Sequence, residues 1–531
     1  MFTMKRMTYN RERLLFRRQF ILGPRFVEGF PTWRRVQVRP TIRLTVHPDL
    51  PVCRVETSGR SVTLLGYVLD PHEPWATDTD ILNRLLRRVE SGETRRNLLQ
   101  LTYPFGGRWI LIVDDGRDPW LFNDPLGYRQ VFYTHATAHG VWCASQPGLL
   151  AELLDLTIDR EALTFIRAYR RTEPEYVWPG DGSLFQEVHH LLPNHYLNLH
   201  AGTPQRFWPD RELPTRTLEG VVEENARLLE ALIESASHRF ELALTVTAGR
   251  DTRLLLAASK AIWHRLYCFT TMHWHLTSDH RDVQIPSRLL PRLGVRHHVI
   301  KCPSRMNKEF RETYERNVSA AHDVYGPIAE GLCHQYPQDK VCMQGTGSPL
   351  TYFPIELRRW REDAGKDTSP ETLAWFMERW VGLPRGQAFA LQALDRWLSG
   401  ADQSGVDIVD LFYWENREGN WAAMGQSECD IAQEAFVPYN CRLFLANALS
   451  VPEALRGGPS YTLQDNMTRY LKPEVLGEPI NPPYRHTAVS TVREFLNSPV
   501  RKDLDWLYSR TIGTWRENGL RPWMGFTHRY D

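Results

Sequence analysis

The apolar positions change their spacing along this chain. Up to about residue 210 they come in short runs bounded by turn residues, which predicts a mostly β region. Residues 62–68 (VTLLGYV), 106–113 (GGRWILIV), 120–122 (WLF), 131–134 (VFYT) and 141–145 (VWCAS) read as its strands. Residues 114–118 read as a hairpin turn. One helix interrupts them at 78–91, with Ile81, Leu82, Leu85, Leu86 and Val89 on a single face. Residues 202–217 carry prolines and charges and read as a linker. A long amphipathic helix is predicted over 218–240. After it, strands and helices alternate: strand 242–246, helix from 252, strand 266–272, helix 283–293, strand 297–300, strand 340–344. Such repeated units predict a doubly wound parallel sheet. From about residue 355 the chain reads as helical and aromatic.

The stretch from Glu241 to Ser259 (ELALTVTAGRDTRLLLAAS) is the chemical centre of this pattern. A strand feeds a turn of small residues, and a helix begins directly after it. The first N–H groups of a helix have no partner inside it, and the helix dipole adds positive potential there. Small residues such as Ala248 and Gly249 allow a phosphate close to the backbone. Thr247 and Thr252 offer hydroxyl donors, and Asp251 is a candidate magnesium ligand. His297 and His298 lack a spaced third ligand, and their place on a strand predicts a structural role.

A chain of 531 residues is expected to form two or three domains, and a hydrophobic content of 42% suits a soluble globular protein. The formal net charge of +1 argues against nucleic-acid binding. The eight cysteines form no C-x-x-C pair, so they read as reduced core thiols in a cytoplasmic protein. No apolar run reaches the ~20 residues that span a bilayer, so no membrane association is expected. Lys5, Arg6, Arg11, Arg13, Arg17 and Arg18 read as a solvated basic arm.

Thr247-Ala248-Gly249-Arg250-Asp251-Thr252 resembles the Ser-Gly-Gly-x-Asp-Ser pyrophosphate loop of the N-type ATP pyrophosphatases, with Thr for Ser at both ends and Ala for the first Gly. The ordered segments GGRWILIVDD, PWLFNDPLGYRQVFYT and VWCASQPGLL resemble the glutaminase domain of class B asparagine synthetases, and Asp124-Pro125-Leu126-Gly127-Tyr128-Arg129 is the most specific piece. Residues 188–199 (VHHLLPNHYLNL) resemble that domain's late segment. A glutaminase of this family needs an N-terminal cysteine, whereas position 2 is Phe2 and the nearest cysteine is Cys53. The first region therefore resembles a glutaminase domain without glutaminase activity, as in the β-lactam synthetase and lasso peptide cyclase relatives of the asparagine synthetase-like family.

The resemblance implies a two-domain α/β chain: an N-terminal Ntn-hydrolase-like β sandwich over 1–210, and a doubly wound ATP pyrophosphatase domain with a helical C-terminal part over 211–531. Gly345-Thr346-Gly347-Ser348 resembles the family's second glycine loop, but Thr346, Ser348 and Pro349 stand where acidic residues usually help hold magnesium. Residues 278–282 (SDHRD) resemble the acidic segment before the second helix, and 411–421 and 431–452 resemble the helical part. By this resemblance Thr247, Ala248, Gly249, Arg250, Asp251 and Thr252 bind ATP and Mg2+. Thr270 and Met272 border the adenine, and Gly345 and Gly347 approach the nucleotide or substrate. Glu415 and Arg417 are candidate substrate contacts, and Lys472 is the candidate phosphate-stabilising lysine.

The activity so implied is adenylation of a small-molecule or peptide carboxylate, followed by coupling to an amine that does not come from glutamine. The alternative is a catalytically reduced relative that binds a nucleotide or a protein partner as a scaffold. A thiolating nucleotide-modifying enzyme with the same loop would need paired cysteines, and the first region would be unexplained. The sequence leaves open the substrate and the assembly, a homodimer among the options.

Overall fold

The computed structural model of the chain describes residues 11–57, 59–136, 140–172, 177–273, 276–318, 325–352, 368–374, 388–401 and 405–483. It is a mixed α/β structure with several sheets, one of them parallel, and a helical C-terminal part. The first strands are β1 (Phe20–Gly23), β2 (Arg34–Arg39), β3 (Ile42–Val46), β4 (Val52–Thr57), β5 (Arg60–Leu69) and β6 (Gly106–Asp114). They continue as β7 (Trp120–Asn123), β8 (Phe132–Thr134), β9 (Cys143–Ala144), β10 (Val188–His190), β11 (His195–Asn198) and β12 (Thr203–Arg206). One sheet has the order β10-β8-β9-β1-β3-β2 and the other β12-β11-β7-β6-β5-β4. The two face each other across a core that includes Leu22, Leu44 and Val46 from one and Leu65, Ile110 and Ile112 from the other. Strand β6 is apolar at successive positions because both of its faces are covered. Ile110 and Ile112 point between the sheets, while Trp109, Leu111 and Val113 point to the opposite side. That side is closed by α1 (Asp78–Glu90) and α2 (Arg95–Leu101). Helix α1 opens with a capping box: Asp80 N donates to Thr77 Oγ1, and Thr77 N donates to the Asp80 carboxylate.

The third sheet is parallel and contains β13 (Glu241–Thr245), β14 (Tyr267–Met272), β15 (His297–Lys301), β16 (Lys340–Met343) and β17 (Glu434–Phe436). Its order is β15-β14-β13-β16-β17. The chain winds outward from β13 to one side and then returns to place β16 on the other. Helices α3 (Leu218–Arg239) and α4 (Arg250–Ala258) pack on one face against Leu242 and Leu244. Ala243 turns to the opposite face, among Phe269, Phe310 and Tyr314. Helix α5 (Arg281–Arg292) follows β14, and α6 (Ala388–Ser399) lies further on. A π-helix spans Tyr413–Ala422, and α7 (Arg442–Leu449) and α8 (Thr462–Leu471) complete the described C-terminal part.

Three sequence expectations change here. Strand β17 lies inside a stretch read as helical, and three residues are too few to show a period. Strand β12 lies in the stretch read as linker. It is an edge strand whose residues are mostly exposed, so it shows no apolar alternation. The basic arm is solvated only in part. Lys5, Arg6 and Phe2 lie outside the described residues, and Arg11 and Arg13 are largely exposed. Arg17 and Arg18, however, are buried. Arg17 pairs with Asp49 at 2.8 Å, and Arg18 pairs with Glu434 at 3.2 Å. Arg18 is drawn inward by a buried acidic patch. Arg108 forks onto Asp430, and Arg129 Nη2 lies 2.7 Å from Glu434 Oε1. Burial opposes the Glu434 charge, yet Arg129, Arg108 and Arg18 outweigh it and hold its carboxyl below the usual range. All eight cysteines are free thiols. Among the described residues no helix is long and apolar enough to cross a membrane.

Candidate functional site

Open parallel sheets bind ligands beyond the carboxyl ends of their strands, where the strand order reverses. Here that point lies between β13 and β16. The turn at 246–249 follows β13, and the turn at 344–347 follows β16. They pack together. A Cβ added at Gly345 would lie 3.0 Å from Asp251 Cβ and 3.3 Å from Thr252 Cγ2, so glycine is what permits the approach. Gly347 sits at φ +83°, in the left-handed region, and a Cβ there would be 2.6 Å from Leu126 Cδ1.

The sequence places Gly249 as the N-cap of α4, with Arg250 as its first residue. Thr247 N donates to Thr252 Oγ1 at 3.2 Å, and Gly249 N donates to Thr247 Oγ1 at 3.1 Å. Both threonine hydroxyls therefore hold the turn in shape. Ala248 N donates to Asp282 Oδ1 at 3.0 Å, so a carboxylate already rests against the turn. Asp282 belongs to the acidic segment singled out in the sequence.

Asp251 keeps part of its surface open to the crevice, while its Oδ1 is shielded and has no hydrogen-bond partner among the described residues. Burial pushes its carboxyl up to about 6, against the influence of the nearby Ser348 hydroxyl and the charge of Arg250. The Tyr439 hydroxyl donates to the Asp251 backbone carbonyl at 2.8 Å. Glu418 of the π-helix is fully buried, and the Tyr128 hydroxyl donates to it at 2.7 Å. Burial pushes Glu418 up to about 7, with the Asp251 charge adding to the effect and the Tyr128 bond and Arg417 opposing it. The crevice thus holds two carboxyls raised by burial, and the charge of Asp251 favours protonation of Glu418.

Tyr128 reaches the crevice because the Asp124 turn is locked. Buried Asp124 accepts from Tyr128 N and Arg129 N, both at 2.9 Å, from Asn440 Nδ2 at 2.8 Å and from Trp109 N at 3.2 Å. Asn440 Oδ1 accepts from Leu126 N at 2.9 Å. The Asp124 motif and the 438–440 turn therefore join the antiparallel sheets to the parallel one beside Asp251.

The other sequence candidates fall as follows. Arg250 turns its charge to α8: its Nε donates to Asp465 at 2.7 Å, and its guanidinium lies 4.1 Å from the Tyr461 ring centroid. Thr270 and Met272 lie at the carboxyl end of β14, next to β13. The Thr270 hydroxyl donates to the Val246 carbonyl at 2.6 Å and meets His297 Nε2 at 2.9 Å. His297 Nδ1 meets Ser287 Oγ at 3.1 Å, so hydroxyls engage both ring nitrogens.

Glu415 is not brought to the crevice. It is buried and takes bonds from Arg206, from Asn194 at 2.9 Å and from Trp397 at 2.8 Å. Glu415 and Glu418 both lie on the π-helix, which winds more loosely than an α-helix, and they meet different partners. Glu418 is the member that meets the crevice groups. Lys472 is also elsewhere. Helix α8 runs beside α4, with Asp465 at Arg250 and the Leu471 carbonyl 2.9 Å from Lys260 Nζ. Lys472 therefore lies at the far end of α4, about 13 Å from the turn at ~1.5 Å per residue. Its Nζ pairs with Glu474 at 2.7 Å. Sequence reasoning missed Tyr128, Glu418 and Tyr439 as site residues. Tyr128 and Tyr439 sat inside quoted motifs, and Glu418 stood one residue beyond Arg417.

No family model and no curated protein matches the chain. Among solved structures it is similar to a glutamine phosphoribosylpyrophosphate amidotransferase from B. subtilis, solved in complex with ADP and GMP. The identity is 12%, over 70% of this chain and 89% of that one, with a TM-score of 0.20, too loose a likeness to carry an argument about fold or site.

Proposed function

We propose that this chain is an ATP-dependent, AMP-forming synthetase of the asparagine synthetase-like group. In this reading residues 1–210 form a glutaminase-type sandwich that does not hydrolyse glutamine, and 211–531 form the synthetase domain. The observation that carries the proposal is the meeting of two small-residue turns over the N-terminus of α4, at the reversal point of a parallel sheet and beside Asp251. The polyphosphate would lie over the turn at 247–249 and against the first N–H groups of α4, at 250–252, with Thr270 and Met272 bordering the adenine. The residues fit a hard cation: the shielded Oδ1 of Asp251 lacks a partner among the described residues, and the Ser348 hydroxyl stands near that carboxylate, just after the second turn. Asp251 would hold Mg2+, which when bound offsets the charge of the phosphates.

A substrate carboxylate oxygen attacks the α-phosphorus, and pyrophosphate leaves. An amine nitrogen then attacks the acyl carbon, AMP leaves, and the amine proton needs an acceptor. Glu418, poised near neutrality, suits that acceptor role, and Tyr128 positions it. One observation favours the scaffold reading instead: Asp282 already occupies the Ala248 N–H. Incubating the protein with Mg2+-ATP and pooled amino-acid and peptide carboxylates separates the two. The synthetase reading predicts AMP and pyrophosphate, lost in Asp251→Ala. ADP release contradicts it, and ATP binding without turnover across the pools supports the scaffold.

A further inference from the structure

A cavity of about 430 Å3, which shares none of the crevice residues named above, lies between α2, β11, β12 and the end of α6. That is within the range of small-molecule sites, roughly 300–1,000 Å3. Its walls include Leu99, Tyr103, Tyr196 and Phe207, and its cations are Arg95, Arg96 and Arg206. Two of these cations are already matched. Arg96 pairs with Asp210 at 3.1 Å, and Arg206 pairs with buried Glu415. The Asp210 carboxylate is held further by Gln100 at 2.7 Å.

Arg95 is different. Its guanidinium lies 4.7 Å from the Tyr196 ring centroid and 5.2 Å from that of Trp120. Its Nη1 donates to the Tyr196 hydroxyl at 3.0 Å, and its buried Nε has no partner. Among the described residues it makes no ion pair. Behind the aromatic wall lies Arg442, buried, 4.8 Å from the Phe207 centroid and 5.5 Å from that of Tyr103. It too has no ion pair among the described residues. Four guanidiniums therefore face two carboxylates, and the excess positive charge lies around aromatic walls. Of the two unmatched cations, Arg95 alone lines the cavity.

We propose that this cavity is a second small-molecule site, built for an organic carboxylate with a flat aromatic body, whose carboxylate Arg95 receives. The rings supply apolar contact, and the guanidinium supplies a charge-assisted hydrogen bond. The test is ligand-observed NMR titration of the full chain with 3-phenylpropanoate and with its neutral amide. The carboxylate is expected to bind saturably and about tenfold or more tighter than the amide, as one charge-assisted bond predicts. Arg95→Met is expected to remove that preference, while Arg96→Met keeps it. No saturable carboxylate binding, equal binding of both probes, or an unchanged preference in Arg95→Met would overturn the proposal. The two-probe comparison on the wild-type chain decides the matter even where a variant fails to fold.

Discussion

Replacing Glu418 with Gln tests the electrostatics of the crevice without emptying it. Glu418 is 2% exposed, and its carboxyl titrates at about 7 when folded, against an ordinary 4.5. Below 4.5 both folded and unfolded chains keep the proton, so the residue costs nothing. Between 4.5 and about 7 the unfolded chain releases the proton while the folded chain retains it, and stability falls as pH rises. Above 7 the loss is complete. At ~1.4 kcal/mol per pH unit it comes to about 3 kcal/mol. Glutamine keeps an oxygen to accept the Tyr128 hydroxyl but carries no charge. Glu418→Gln should therefore match the wild type at about pH 4 and exceed it by up to about 3 kcal/mol at about pH 8. Urea denaturation followed by tryptophan fluorescence reads this as a midpoint shift that grows with pH. No gain at the higher pH, or an equal gain at both, would refute the reasoning.

Asp124→Ala should cost about 3–5 kcal/mol in the same assay, because it strips the acceptor from three backbone N–H groups and Asn440 in a closed interior. Gly345→Ala should weaken Mg2+-ATP binding by about tenfold or more in calorimetry, since its Cβ would press on Asp251 and Thr252. Lys472→Ala should leave that binding within about twofold of the wild type, because the lysine sits at the far end of α4 paired with Glu474.

The parallel sheet was legible because its early elements announce themselves. Residues 242–246 (LALTV) are apolar at four of five positions, and the observed strand is Glu241–Thr245. Ile81, Leu82, Leu85, Leu86 and Val89 repeat at helical spacing, and all five are buried on α1. Periodicity needs length, so β17 left no trace. Solvent-facing β12 gave no alternation. Arg17 and Arg18 read as surface charges because their partners, Asp49 and Glu434, lie 32 and 416 residues further along the chain. The crevice itself was half visible. The turn at 247–252 could be placed from its residues. Tyr128, Glu418 and Tyr439 meet it only through folding, by way of the locked Asp124 turn, a π-helix and the 438–440 turn. Glu415 and Lys472 were chosen by position along the chain, which says nothing of the direction in which a side chain points.

Binding of Mg2+-ATP to the wild type and to Asp251→Ala, by titration calorimetry, tests the central claim most directly. If the crevice between β13 and β16 is the nucleotide site, the wild type gives a saturable isotherm, and the substitution weakens it by about tenfold or more. An isotherm unchanged by Asp251→Ala places the nucleotide elsewhere, and no wild-type binding contradicts the synthetase reading outright.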